Sequence, residues 1–145
     1  MPQLHLRWRS RPLTGESFPG FIVRGNLSCE NNGDYCVLNG AEIDGNVRLG
    51  KNVQSQVYES TIGGNVAVNN NSCTKPGCEA AAVVKSTIAG NVTVDDNSGP
   101  TGATSVGGNE IGGNLRCRGN SSDVTEDEDG PNTVDGKKQG QCAGL

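Results

Sequence analysis

Six cysteines, Cys29, Cys36, Cys73, Cys78, Cys117 and Cys142, are the most chemically distinctive side chains of this 145-residue chain. They contain no C-x2-C spacing, and the one histidine, His5, stands far from all of them. That arrangement does not suit a tetrahedral zinc site. An even count in a short chain suits disulfides formed in an oxidising compartment, and proximity along the chain favours Cys29–Cys36, Cys73–Cys78 and Cys117–Cys142. The carboxylates suggest other chemistry. Asp95 and Asp96 before Asn97, with Asp127 and Asp129 in the acidic run 123–130, supply hard oxygen donors. Calcium is therefore the candidate metal, although neither group has EF-hand spacing, and no other cofactor is expected. Without a usable histidine a nucleophilic triad is excluded, and GGNEIGG (107–113) lacks the lysine and following helix of a phosphate loop.

The elements that must position these groups show in a repeat. FIVRGNLSC (21–29), EIDGNVRLG (42–50), TIGGNVAVN (61–69), TIAGNVTVD (87–95) and EIGGNLRCR (110–118) share an aliphatic residue, a Gly-Asn pair and a short alternating run. The asparagines, Asn26, Asn46, Asn65, Asn91 and Asn114, are 20, 19, 26 and 23 residues apart, and TVDGKKQGQ (133–141) is a weaker sixth copy with Lys137 in the asparagine place. In each unit the isoleucine (Ile43, Ile62, Ile88, Ile111) faces inward at the end of one strand. Glycine turns the corner. The next strand then alternates, with Val47 and Leu49 in and Arg48 out. Val53 to Tyr58, Ala80 to Val84 and Ala103 to Val106 read as the remaining strand of three successive coils.

Strands this short cannot stand alone, so the coils must stack as a solenoid. The expected fold is all-β: a right-handed parallel β-helix of about five coils, with an internal asparagine ladder and capped ends. Residues 1–20 form an N-terminal extension or cap, 21–118 the coils, and 119–145 an acidic loop and disulfide-tied C-terminal cap. Burial of the ladder would remove Asn91-Val92-Thr93 as a glycosylation sequon, whereas Asn120-Ser121-Ser122 falls in an expected loop.

The I-x-G-N-V-x-V coils resemble parallel β-helices with an internal asparagine ladder, the architecture of pectate-lyase-like proteins. More closely, VGGNEIGGNLRCRGN (106–120) and GPNTVDGKKQGQC (130–142) resemble the closing segment of small secreted β-solenoid (GNV-repeat) proteins of actinobacteria and some fungi. The resemblance covers about 21–142 and implies the fold and export, but little about function. Residues 1–20 match nothing in the pattern and contain no apolar signal-peptide core, so the cysteines carry the expectation of a secreted or cell-surface protein.

A net charge of −4 argues against a nucleic-acid binder that neutralises phosphates. No apolar run is long enough to span a membrane. Glycoside cleavage needs two carboxylates about 5–9.5 Å apart, but Glu42 and Glu110 occupy equivalent places in coils separated by two others. The outward row Ser28, Arg48, Ala67, Thr93, Arg116 is too broken by arginine to bind ice. The expectation is a non-catalytic extracellular structural or recognition module, using the outer faces and the loops 69–78 and 95–102 to hold polysaccharide or cell-surface material. The alternative is a minimal carbohydrate-active enzyme, a lyase or hydrolase.

Overall fold

A computed structural model describes residues 18–126 and 129–145. Among these residues seventeen short strands fall into three parallel sheets. Sheet A holds β1 (Phe18–Pro19), β4 (Tyr35–Asn39), β7 (Gln54–Tyr58), β10 (Ala81–Val84) and β13 (Thr104–Gly107). Sheet B holds β2 (Ile22–Val23), β5 (Glu42–Ile43), β8 (Thr61–Ile62), β11 (Thr87–Ile88), β14 (Glu110–Ile111) and β16 (Thr133–Val134). Sheet C holds β3 (Leu27–Glu30), β6 (Val47–Gly50), β9 (Val66–Asn69), β12 (Val92–Asp95), β15 (Leu115–Arg118) and β17 (Lys138–Gly140). The chain visits A, B and C in turn and repeats, which makes a parallel β-solenoid of five full coils. A sixth turn follows, in which Thr125 bridges Ser105 ahead of β16 and β17.

Register stacks like on like. Val23, Ile43, Ile62, Ile88, Ile111 and Val134 form one inward column. Leu27, Val47, Val66, Val92 and Leu115 form another. In a third column Cys29 and Cys117 stand below and above Leu49, Val68 and Val94. From Ile43 to Leu115 these positions are 2% exposed or less. So few aliphatic residues suffice because each serves a coil only three short strands around.

From the second coil on, the Gly-Asn corner between sheets B and C works through space rather than torsion. Gly45, Gly64, Gly90, Gly113 and Gly136 have no positive φ, whereas Gly25 in the first coil has φ 145° and open space where a Cβ would stand. A Cβ on Gly64 would lie 2.7 Å from Asn46 Oδ1, and one on Gly90 2.6 Å from Asn65 Oδ1. Each asparagine side chain thus folds over the glycine of the next coil and fills the volume a side chain would need. Left-handed torsion is used at the other two corners. Asn31, Lys51, Asn70, Asp96 and Gly119 (φ 56–65°) follow the sheet C strands, and Gly40, Glu59, Lys85 and Gly108 (φ 46–65°) follow those of sheet A.

The expected asparagine ladder is present at the Gly-Asn corner, but it is not internal. Oδ1 of Asn26, Asn46, Asn65 and Asn91 each accepts the backbone N–H and the Nδ2–H of the asparagine one coil on, at 2.8–3.1 Å. All five asparagines are exposed. The buried stacks use the residues just after the left-handed corners (Asn132, two after Gly130, is the exception), whose side chains turn into the core. Asn52, Asn71, Asn97 and Asn120 form one such column, closed by Gln141. Ser60, Ser86, Asn109 and Asn132 form the other. The sequon expectation is reversed accordingly: Asn120 is buried with Nδ2 donating to Val94 O and Gln141 Oε1, whereas Asn91 lies on the surface.

Candidate functional site

The two long connections converge on one corner, between sheets C and A. Ser72 bridges Ser98, Cys73 N–H donates to Ser98 O at 2.9 Å, and Ser98 N–H donates to Asn71 O at 2.8 Å. Loops 69–78 and 95–102 are therefore stacked on each other like an outgrowth of the coils. Cys73, Ala80 and Ala103, with Val53 and Cys78 against them, give this outgrowth a small apolar core of its own. The Cys73–Cys78 disulfide (Cα–Cα 6.3 Å) fixes its tip.

Beneath that tip is a cleft of about 280 Å³, lined by Asp34, Tyr35, Gln54, Thr74 and Lys75 together with the disulfide. Tyr35 is 39% exposed, one of two large apolar side chains so open among the described residues. Its hydroxyl, the Asp34 carboxylate, the Gln54 amide, the Thr74 hydroxyl and the Lys75 ammonium make no hydrogen bond or ion pair within the described residues. Polar groups at the neighbouring corner positions are consumed by the stacks. An aromatic face with several unspent donors and acceptors is the composition of a small-ligand site. The repeat did not point to Tyr35, because β4 carries no part of the Gly-Asn motif.

The other site expectations fall elsewhere. Asp95 pairs with Arg116, and Asp96 occupies the next left-handed corner. Asp129 pairs with Lys85 at 2.7 Å, at the corner between sheets A and B. Asp127 lies outside the described residues, as do Trp8 and the arginines near it. Among the described residues no three His, Cys, Asp or Glu side chains gather closely enough to hold a metal ion. Of the other two disulfides, Cys29–Cys36 (Cα–Cα 6.4 Å) ties β3 of the first coil to β4 of the second, and Cys117–Cys142 (5.2 Å) ties the C-terminal turn to β15.

On sheet B, Glu42, Thr61, Thr87 and Glu110 are successive register partners. The two glutamates are thus three strand spacings, about 14 Å, apart, beyond the reach of a paired-carboxylate mechanism. Glu79 is fully engaged on the outside of sheet A: Oε2 accepts from Gln56 Nε2 at 2.8 Å and Tyr58 Oη at 2.7 Å, and Oε1 accepts from Ser105 Oγ. No described helix is long and apolar enough to cross a membrane.

Fold and corners together define a disulfide-stapled parallel β-solenoid. Comparison with protein-family models, with curated proteins and with solved structures finds no significant match.

Proposed function

We propose that the protein is a non-catalytic recognition module that holds a polysaccharide segment in the cleft under the Cys73–Cys78 loop. One observation carries this reading: Tyr35 presents an open ring beside unspent carboxylate, amide, hydroxyl and ammonium groups. A sugar ring has an apolar face that can cover the tyrosine and a hydroxyl edge that can use those polar groups. The rigid coils and the short disulfide-closed loop keep the site formed before binding, which lowers the ordering cost. Three disulfides agree with an extracellular setting.

Affinity electrophoresis in gels cast with neutral and acidic polysaccharides tests the proposal. Retardation by at least one polymer is expected, and Tyr35→Ala should abolish it while leaving the melting temperature in place. Equal retardation of wild type and Tyr35→Ala would refute the site. Release of reducing ends from any of the polymers would favour the enzyme reading instead.

A further inference from the structure

Five of the sixteen asparagines precede a residue small enough to let its backbone nitrogen reach the asparagine carboxamide: Asn32 and Asn39 before glycine, and Asn71, Asn97 and Asn120 before serine. Attack of that nitrogen on Cγ closes a five-membered ring. It needs a backbone amide that is not otherwise engaged and a carboxamide that can turn. Glycine obstructs the approach least.

The solenoid engages four of the five. Gly40 N–H donates to Tyr58 O at 3.1 Å, Ser72 N–H to Asn52 O at 2.9 Å, Ser98 N–H to Asn71 O at 2.8 Å and Ser121 N–H to Asn97 O at 2.9 Å. Asn71, Asn97 and Asn120 are also buried, and each Nδ2 donates at 2.8–3.0 Å. Asn32 differs on every count. Gly33 N–H makes no hydrogen bond within the described residues, and a Cβ on Gly33 would meet none of their atoms within 4 Å. Asn32 itself is half-buried, and its Nδ2 contact with Tyr35 O, at 3.3 Å, is long for a hydrogen bond.

We propose that Asn32 is a site of spontaneous deamidation, and that the change alters the Tyr35 cleft. Gly33 N bonds to Asn32 Cγ, the Cγ–Nδ2 bond breaks, and ammonia leaves with the proton that Gly33 gives up. Water then opens the succinimide at either carbonyl. The product is aspartate or, where the chain is rerouted through the side chain, isoaspartate. Amide and water become carboxylate and ammonium, with no change of oxidation state.

Residue 32 is held between the buried column and the cleft: its N–H donates to Asn52 Oδ1 at 2.9 Å, and its side chain donates to Tyr35 O. Deamidation exchanges that side-chain donor for a carboxylate oxygen, close in sequence to the Asp34 carboxylate. Isoaspartate also adds a methylene to the main chain between the two contacts. Tyr35 loses a fastening, so the cleft weakens as the protein ages. This consequence rests on the recognition reading above.

Incubation of the intact chain in warm, mildly alkaline buffer, followed by isoelectric focusing and peptide mapping with enzymatic isoaspartate methylation, tests the assignment. A more acidic band should grow in, carried by the peptide containing Asn32. Asn32 should convert about tenfold or more faster than Asn39, because Gly40 must first open its ladder bond. In guanidinium, where that bond is gone, the two should convert at similar rates. Asn32→Gln should remove the band and keep the wild-type circular dichroism spectrum; should that variant fail to fold, the native and denatured maps of the wild type decide. Conversion of neither residue in the folded chain, or of both equally, overturns the proposal. Aged protein should be retarded less than fresh protein in the polysaccharide gels, and equal retardation overturns the effect on the cleft. A fresh protein retarded by no polymer fails the recognition reading and removes that consequence with it, while the map still decides the deamidation.

Discussion

Asn97 donates its backbone N–H and its Nδ2–H to the same oxygen, Oδ1 of Asn120, each at 3.0 Å. The second Nδ2 hydrogen goes to Val68 O at 2.9 Å, while Asn97 Oδ1 accepts the backbone N–H and Nδ2–H of Asn71 at 3.0 and 2.9 Å. One buried amide thus serves three coils. The exposed Asn65 makes the same kind of link at the Gly-Asn corner, with water at hand to replace it.

Asn97→Ala should therefore cost more than Asn65→Ala. The former orphans buried groups on both sides, at about 1–3 kcal/mol for each group left unpaired. The latter loses exposed bonds at about 1 kcal/mol net. Thermal unfolding of both variants checks the order, and equal melting temperatures would show that the buried stack is not the stronger fastening.

Gly90→Ala should destabilise although Gly90 has no positive φ. The added Cβ would meet Asn65 Oδ1 at 2.6 Å and Gly64 O at 2.7 Å, so the coils must separate locally at about 1–3 kcal/mol, the usual cost of overpacking. Combining it with Asn65→Ala removes one of the two obstacles. The double variant should then melt above the sum of the single losses, a non-additivity that calorimetry can read.

Replacing Cys117 and Cys142 together by serine should loosen the C-terminal turn before the rest of the chain. On the chain-entropy account a closed loop of this length contributes about 3 kcal/mol. Limited proteolysis should cut 119–145 first in the variant and spare it in the wild type. An unchanged cleavage pattern would mean that Leu145 and the Gln141 link to Asn120 hold the turn without help from the disulfide.

Lys85 is shifted upward from the ordinary lysine range by its hydrogen bond and charge contact with Asp129, with Glu59 adding to the effect. A raised folded pKa means that the contact stabilises fully below the unfolded value, about 10.4, and is lost as pH rises through the folded one. Hydrogen exchange in the segment around Gly130, whose carbonyl accepts Gly108 N–H at 2.8 Å, should accelerate above that range after correction for intrinsic rates. In Lys85→Gln that extra acceleration should vanish.

The solenoid was legible because its signal is repeated: inward isoleucines, alternating valines and the Gly-Asn pair recur at every coil, and all three disulfides follow the nearest-neighbour pairing. The position of the buried amides was less legible. Asn52, Asn71, Asn97 and Asn120 follow corner residues as unlike as Lys51, Asn70, Asp96 and Gly119, so no shared dipeptide marks them. They are nonetheless alike in space, because a left-handed residue turns the following side chain inward. Asn26 to Asn114 share a conspicuous dipeptide, yet the space inside that corner belongs to the strand that follows. The cleft was half legible. Loop 69–78 stands out as an insertion, but Asp34, Tyr35 and Gln54 come from earlier coils and meet it only through stacking.

From sheet A to sheet B the first five coils always use two connecting residues or their equivalent, and from B to C always the same short Gly-Asn bend. Every difference in coil length there is taken up between C and A, by 31–34, 51–53, 70–80 and 96–103. The chain has in effect a fixed chassis and a single socket, into which segments of different length and composition can be fitted without disturbing the columns behind them. Beyond the buried column of Asn52, Asn71, Asn97 and Asn120 that opens each of these segments, the side of the molecule bearing Tyr35 can therefore vary in length and chemistry, while the other two corners are held to one design by the coils above and below.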